Sequence, residues 1–216
     1  MRRPASPDAR VVHQVASWCL DYPDATLVER LPLLLEAVAE QPACSSTGGL
    51  RRLLDHLASR PLEELQRAYV ETFDLSRKHA LYLSYWTDGD TRRRGEVLTR
   101  FKAAYRASGF VVDPRHELPD YLPMVLEYAA VADPVGGAAL LQEYRASIEL
   151  LRIALAECES PYLDAVVAVC DTLPGASPAD RAAVMAMAGM PPPAESVGLE
   201  PYDARALALH SIGSRP

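Results

Sequence analysis

Residues 62–73 read LEELQRAYVETF. The apolar side chains Leu62, Leu65, Tyr69, Val70 and Phe73 fall at offsets 0, 3, 7, 8 and 11. On a helix of 3.6 residues per turn this spacing gathers them into one stripe; on a strand it would scatter them over both faces. The same period recurs outward from this stretch. Thr91–Ser108 carries Val97, Leu98, Phe101, Ala104 and Tyr105, and Leu140–Leu155 carries Leu140, Leu141, Tyr144, Ile148, Leu151 and Leu155. Leu163, Val166, Val167 and Cys170 follow Pro161, a residue suited to a first helical turn. Asp90 or Thr91 can cap the 91–108 helix, and Gly109 stands where a left-handed residue closes one.

Further helices are expected over Asp8–Leu20, Ala25–Glu40, Gly49–Ser59 and Pro178–Ala188. Another should run from Asp120 to Ala130, with Asp120 as its cap and Pro123 tolerated in the first turn. No segment alternates with period two. The fold class is therefore all-α: a single bundle-like domain of roughly eight to ten helices over residues 1–189. Residues 190–216, rich in proline and small polar residues, read as a mobile tail. Gln41–Gly48 reads as a short loop and Asp74–Thr91 as a long one. Long connections in compact domains tend to carry function.

The chain has 216 residues, 49% of them apolar and 24% charged, enough for one domain with a real core. A net charge of −7 argues against general nucleic-acid binding, which needs a basic face. Cys19, Cys44, Cys158 and Cys170 form no C-x-x-C pair, which argues against zinc and redox motifs. Cys19, Cys158 and Cys170 lie in apolar helical patterns and are expected to be buried free thiols, as suits a reducing cytoplasm. Arg2-Arg3 is not followed by the clean apolar run of an export signal and reads as part of a solvated tail. No apolar run reaches the ~20 residues that span a membrane.

Charge and aromatic residues concentrate in two places. Between Asp88 and Arg106 there are six basic residues against three acidic ones. Arg92, Arg93 and Arg94 open a helix there, the end at which the helix dipole disfavours cations. They read either as partners of Asp88 and Asp90 or as contacts for an anionic group. Tyr82, Tyr85 and Trp86 stand just upstream, on a connection, and suit a core or an interface equally. From Glu117 to Asp133 there are four acids and no Lys or Arg, beside apolar Leu118, Tyr121, Leu122 and Met124. That combination suits a basic amphipathic helix docking into a groove.

Catalytic motifs are absent from the sequence. The five histidines show no H-E-x-x-H spacing, and there is no G-x-S-x-G, P-loop or dinucleotide fingerprint. Asp88, Asp90 and His116 could at most suggest a small-molecule hydrolase. A helical adaptor for another partner is the other rival reading.

One ordered set of short motifs resembles a known family. It comprises Tyr69-Val70-Glu71-Thr72-Phe73-Asp74, Leu81-Tyr82-Leu83-Ser84-Tyr85 and Gly89-Asp90-Thr91-Arg92. Arg94-Gly95, Phe101-Lys102, Tyr105 and Glu117-Leu118-Pro119-Asp120-Tyr121-Leu122-Pro123 complete it. Over about residues 10–175 the chain resembles the respiratory nitrate reductase assembly chaperones of the NarJ type, relatives of the TorD and DmsD types. The resemblance implies a TorD-like helical, cytoplasmic chaperone that is not an enzyme and holds no cofactor. It implies binding to the N-terminal peptide of the nitrate reductase alpha (catalytic) subunit, and support of molybdenum cofactor insertion before membrane attachment. Contact with the cofactor delivery machinery would follow from that role.

A binding site can be expected on this basis. The apolar face of a client helix would meet Tyr69, Phe73, Leu83, Tyr121, Leu122 and Met124. Its basic residues would meet Asp74, Glu117, Asp120 and Glu127. Arg92, Arg93 and Arg94 would face an acidic client or machinery surface.

Overall fold

The computed structural model describes residues 6–88, 92–109 and 117–189. Among these residues every regular element is helical. The helices are α1 (Ala9–Leu20), α2 (Ala25–Ala39), α3 (Ser45–Ala58), α4 (Leu62–Tyr69), α5 (Tyr85–Asp88) and α6 (Arg92–Ala107). They continue with α7 (Leu122–Glu127), α8 (Pro134–Glu143), α9 (Arg145–Glu157), α10 (Leu163–Thr172) and α11 (Arg181–Met187). No helix among the described residues is long and apolar enough to cross a membrane. The proposed tail, 190–216, lies outside the described residues.

Helix α1 is the axis of the bundle. Asp8 caps it by accepting the Arg10 N–H at 2.9 Å. Its sequence ARVVHQVASWCL buries Val12, Val15, Ala16, Cys19 and Leu20 together with His13 and Ser17. So broad a buried face needs neighbours on several sides, and α1 packs against α2, α3, α7 and α10. Glycine allows the tightest approach elsewhere: a Cβ at Gly137 of α8 would lie 2.3 Å from the Ala129 Cα.

Several boundaries differ from the sequence expectation, each for a local reason. Helix α3 begins at Ser45, not Gly49, because the Cys44 N–H donates to the Thr47 hydroxyl at 3.0 Å and starts the helix early. The 62–73 stripe is α-helical only to Tyr69. Val70–Asp74 is a π turn, closed by the Leu75 N–H on the Val70 carbonyl at 3.0 Å. A second π turn, Tyr128–Ala132, follows α7. The 140–155 stripe breaks at Tyr144 into α8 and α9, but Tyr144 N–H to Leu140 and Ile148 N–H to Tyr144 carry the hydrogen-bond period across the break. Gly109, at φ +77, closes α6 as its position predicts.

Cys158 is exposed, contrary to the expectation of a buried thiol. It continues the Leu151–Leu155 stripe in sequence, but α9 ends at Glu157, one residue before it, and the position stays exposed. Glu159 turns left-handed at φ 50, while the Ser160 N–H reaches the Leu155 carbonyl and the Glu159 N–H that of Ala156. Cys158 Sγ instead lies 3.7 Å from His79 Nε2. Cys19 and Cys170 are buried, and burial pushes both thiols up to about 12.

One buried ionic cluster had no sequence signal. Glu149 and Arg145 on α9 are interior. Glu149 accepts from Arg152 Nε at 2.6 Å and from Arg145 Nη2 at 3.4 Å. The two arginines also donate to the carbonyls of Pro174, Gly175 and Pro178, so the cluster straps the α10–α11 connection onto α9.

Candidate binding groove

The long connection after α4 is pinned, not loose. It contains a 3₁₀ turn, Arg77–His79, and helix α5. Residues 81–84 are laid against 120–122. Tyr82 and Tyr121 form an antiparallel bridge, with the Leu83 N–H on the Asp120 carbonyl at 3.0 Å and the Leu122 N–H on the Leu81 carbonyl at 2.8 Å. The Asp120 carboxylate is fully buried and accepts the Ser84 N–H at 3.0 Å and the Ser84 hydroxyl at 2.6 Å. It therefore does not cap the following helix, which starts from Tyr121 without a side-chain cap. Arg94 approaches the same carboxylate at 3.8 Å and lies 5.8 Å from the centre of the Tyr82 ring.

This junction forms one wall of a groove with two compartments. The wider, about 880 Å³, is lined by aromatic rings including Tyr69, Phe73, Tyr82 and Trp86, with Asp74, Arg77, Arg94 and Glu117 among them. The narrower, about 270 Å³, lies between the α1–α2 turn and the start of α7, with Trp18, Asp21, Asp24, Met124 and Glu127 in its walls. Tyr22, Glu117 and Tyr121 line both compartments, which are therefore adjacent and share these three side chains as a common wall.

The floor is a web of aromatic contacts and hydroxyl bonds. The Tyr69 and Phe73 rings are 4.7 Å apart, and Tyr22 meets Tyr69 edge-on at 5.4 Å. The Tyr69 hydroxyl donates to the Leu20 carbonyl at 3.1 Å. The Tyr121 hydroxyl is 2.9 Å from it and donates to Asp21 at 3.2 Å. Burial pushes both hydroxyls well above the ordinary tyrosine range, so neither carries charge at neutral pH. Tyr82 donates to Glu117 at 2.5 Å; burial first, then that carboxylate, pushes its hydroxyl upward too. The Trp86 indole N–H donates to the Ala80 carbonyl at 3.0 Å. Among the described residues no group of three His, Cys, Asp or Glu side chains is placed to hold a metal ion. A long concave surface with aromatic walls and carboxylates at its edge can hold a segment of another chain.

A family model described as nitrate reductase delta subunit matches residues 40–168. This chain belongs to that family. The chain is 43% identical over 162 residues to the nitrate reductase-like protein NarX of Mycobacterium tuberculosis (strain ATCC 25618 / H37Rv), covering 75% of the chain but 24% of NarX. It thus spans about a quarter of that relative. It is 31% identical over 150 residues to the nitrate reductase molybdenum cofactor assembly chaperone NarJ of Escherichia coli (strain K12), covering 68% of this chain and 63% of NarJ. A crystal structure assigned provisionally as a redox enzyme maturation protein from Archaeoglobus fulgidus shares the fold, with TM-score 0.57 and 21% identity. The match covers 76% of this chain and 92% of that one.

The residues anticipated for this delta-family groove divide into two groups. Tyr69, Phe73, Asp74, Glu117, Tyr121, Met124 and Glu127 all line it. Leu83, Asp120 and Leu122 do not: Leu83 is 2% exposed, Asp120 and Leu122 are both 0%, and they lie behind the groove wall as its support. Arg94 lines the wide compartment, while the side chains of Arg92 and Arg93, like Asp90 and His116, lie outside what the structure describes. Trp18, Asp21, Tyr22 and Asp24 were missed. They come from the turn WCLDYPD, residues 18–24, whose aromatic and acidic content was visible but whose apposition to Glu117 and Met124 is a tertiary fact.

Proposed function

We propose that this chain is a dedicated chaperone of nitrate reductase. It binds the apoprotein of the catalytic subunit at its N-terminal segment and supports molybdenum cofactor insertion before the enzyme attaches to the membrane. It acts by binding and not by catalysis, and the proposal puts that work in the cytoplasm.

One observation carries the reading: in a member of the nitrate reductase delta subunit family, two adjacent hollows, one aromatic and both edged with acids, share Tyr22, Glu117 and Tyr121. An amphipathic client helix would lay its apolar side chains on Tyr69, Phe73 and Met124. Its cations would meet Glu117 and Glu127. Each apolar anchor that becomes fully buried contributes about 1.5–3 kcal/mol before ordering costs.

The test is calorimetric titration of a peptide copying the catalytic subunit's N-terminus into the full chain and into Met124→Glu and Glu127→Lys variants. Glu127 is exposed, so its variant should keep the parent's melting temperature; Met124 also packs partly on the core, so its variant is titrated well below its own measured melting temperature. Affinity should fall at least about tenfold in Met124→Glu, a loss of roughly 1.4 kcal/mol. Unchanged affinity in both variants refutes the groove as the binding site.

A further inference from the structure

The two compartments differ in charge in a way that an acidic groove alone does not explain. The narrow one gathers Asp21, Asp24, Glu117 and Glu127, with no Lys or Arg among its described lining residues. The wide one contains Arg77 and Arg94 opposite Asp74 and the shared Glu117. From Glu117, one direction leads to three further carboxylates and the other to two guanidinium groups with one carboxylate, Asp74.

These charges are not equally spent inside the protein. Asp21 already accepts from Tyr121, and Asp24 caps α2 through the Leu27 N–H at 2.8 Å. Among the described residues, the salt bridges involve neither Glu127 nor Arg77. Among the described residues, Arg94 meets the Asp120 carboxylate at 3.8 Å, beyond hydrogen-bond length, and the Tyr82 ring, and its buried Nε has no hydrogen-bond partner. A buried guanidinium N–H without an acceptor favours any ligand that supplies one. The wide compartment therefore has unused donors where the narrow one has unused acceptors.

We propose, building on the peptide-binding reading, that the groove selects a dipolar occupant: an amphipathic helix with a cationic side chain at one end and a carboxylate at the other. The cation sits in the narrow compartment near Glu127, flanked by Trp18 and Met124. The carboxylate sits in the wide compartment against Arg77 and Arg94. The apolar stripe between them crosses Tyr22 and Tyr121. Matched charges at both ends fix the register of the helix, and an all-cationic helix meets repulsion at one end.

Four synthetic amphipathic peptides of about 16 residues, some four helical turns, test this. All share one Leu/Phe stripe; they carry Lys at one end and Glu at the other, Lys at both ends, Glu at both ends, or Gln at both ends. Binding to the full chain is read by fluorescence anisotropy at low salt. The dipolar peptide should bind tightest, at least about fivefold ahead of the doubly cationic one. Arg77→Glu, at an exposed position, should invert that order with no change in melting temperature. If the doubly cationic peptide binds the unmodified protein as tightly as the dipolar one, or if Arg77→Glu leaves the ranking unchanged, the proposal is overturned and the peptide-binding reading stands. If none of the four peptides binds and the client's N-terminal peptide does not bind either, both fall.

Discussion

Acidification should loosen the bundle through His13. This residue sits on α1 with 3% of its surface exposed, and its Nε2 is 2.9 Å from the Thr172 hydroxyl on α10. The Thr172 hydroxyl proton is directed to the Val169 carbonyl at 2.7 Å, so His13 donates to that hydroxyl through Nε2. Burial pushes its pKa down to about 4, with Asp8 pulling weakly the other way. The unfolded chain takes up this proton near pH 6.5, whereas the folded chain resists until about pH 4. Between those values the unfolded state binds more protons, so stability falls as pH falls; above about pH 6.5 the term vanishes. The full effect is about 3 kcal/mol, of which ~2 kcal/mol accrues between pH 7 and pH 5. Urea unfolding at pH 7 and pH 5, on the parent chain and on His13→Gln, isolates the contribution, since other groups titrate alike in both. The parent should lose ~2 kcal/mol more than the variant over that interval. Equal losses within about 0.5 kcal/mol, or an NMR titration of the His13 ring with a midpoint near its ordinary value, would refute the reasoning.

Other perturbations follow from single contacts. Glu159→Gly should raise stability by about 1 kcal/mol, visible as a higher Tm, because Glu159 holds a left-handed conformation at φ 50 at the end of α9. Cys44 should be the fastest thiol to react with a small alkylating agent, read by peptide mapping after timed quenching. Slight burial raises its pKa, but hydrogen bonds from Thr47 and Ser46 at the start of α3 outweigh this and bring the thiol below its usual range. Cys19 and Cys170 should label only on unfolding. Asp120→Ala should cost about 3 kcal/mol in chemical denaturation, since it strands Ser84 and Arg94 in the interior. The Ser84→Ala/Asp120→Ala pair should be clearly less than additive, and strict additivity would contradict the contact.

The fold was legible because helical period is a local property. The stripes at 62–73 and 163–170 needed no tertiary knowledge, and neither did the glycine at 109. What failed was anything set by a partner far along the chain. Asp120 precedes a helix and reads as its cap, but Ser84, 36 residues away, claims the carboxylate. Cys158 continues an apolar stripe and reads as buried, but α9 ends one residue before it and the thiol is left exposed. The groove was half legible for the same reason. Its Glu117–Glu127 wall follows from one acidic, apolar segment, while the wall made by Trp18, Asp21 and Tyr22 depends on where α1 ends relative to α7.

That dependence says something about how the groove is kept in shape. Its two walls meet at Tyr121, which is bridged to Tyr82 on one side and bonded through its hydroxyl to Asp21 on the other. The bridge fixes the 81–84 segment and the hydroxyl fixes the α1–α2 turn, so one residue ties together elements about 100 positions apart in sequence. Tyrosine hydroxyls are already neutral at physiological pH, and burial pushes those of Tyr69 and Tyr121 further from ionisation, so no tyrosinate enters the groove. The charge presented to an occupant is then the charge of its carboxylates and guanidinium groups alone. The backbone that carries Glu117 and Tyr121 is pinned by the bridge and the hydroxyl bonds, so the charges at that junction stand at defined places along the groove. A groove built this way gains selectivity from where charge sits, even in a chain whose overall balance is simply acidic.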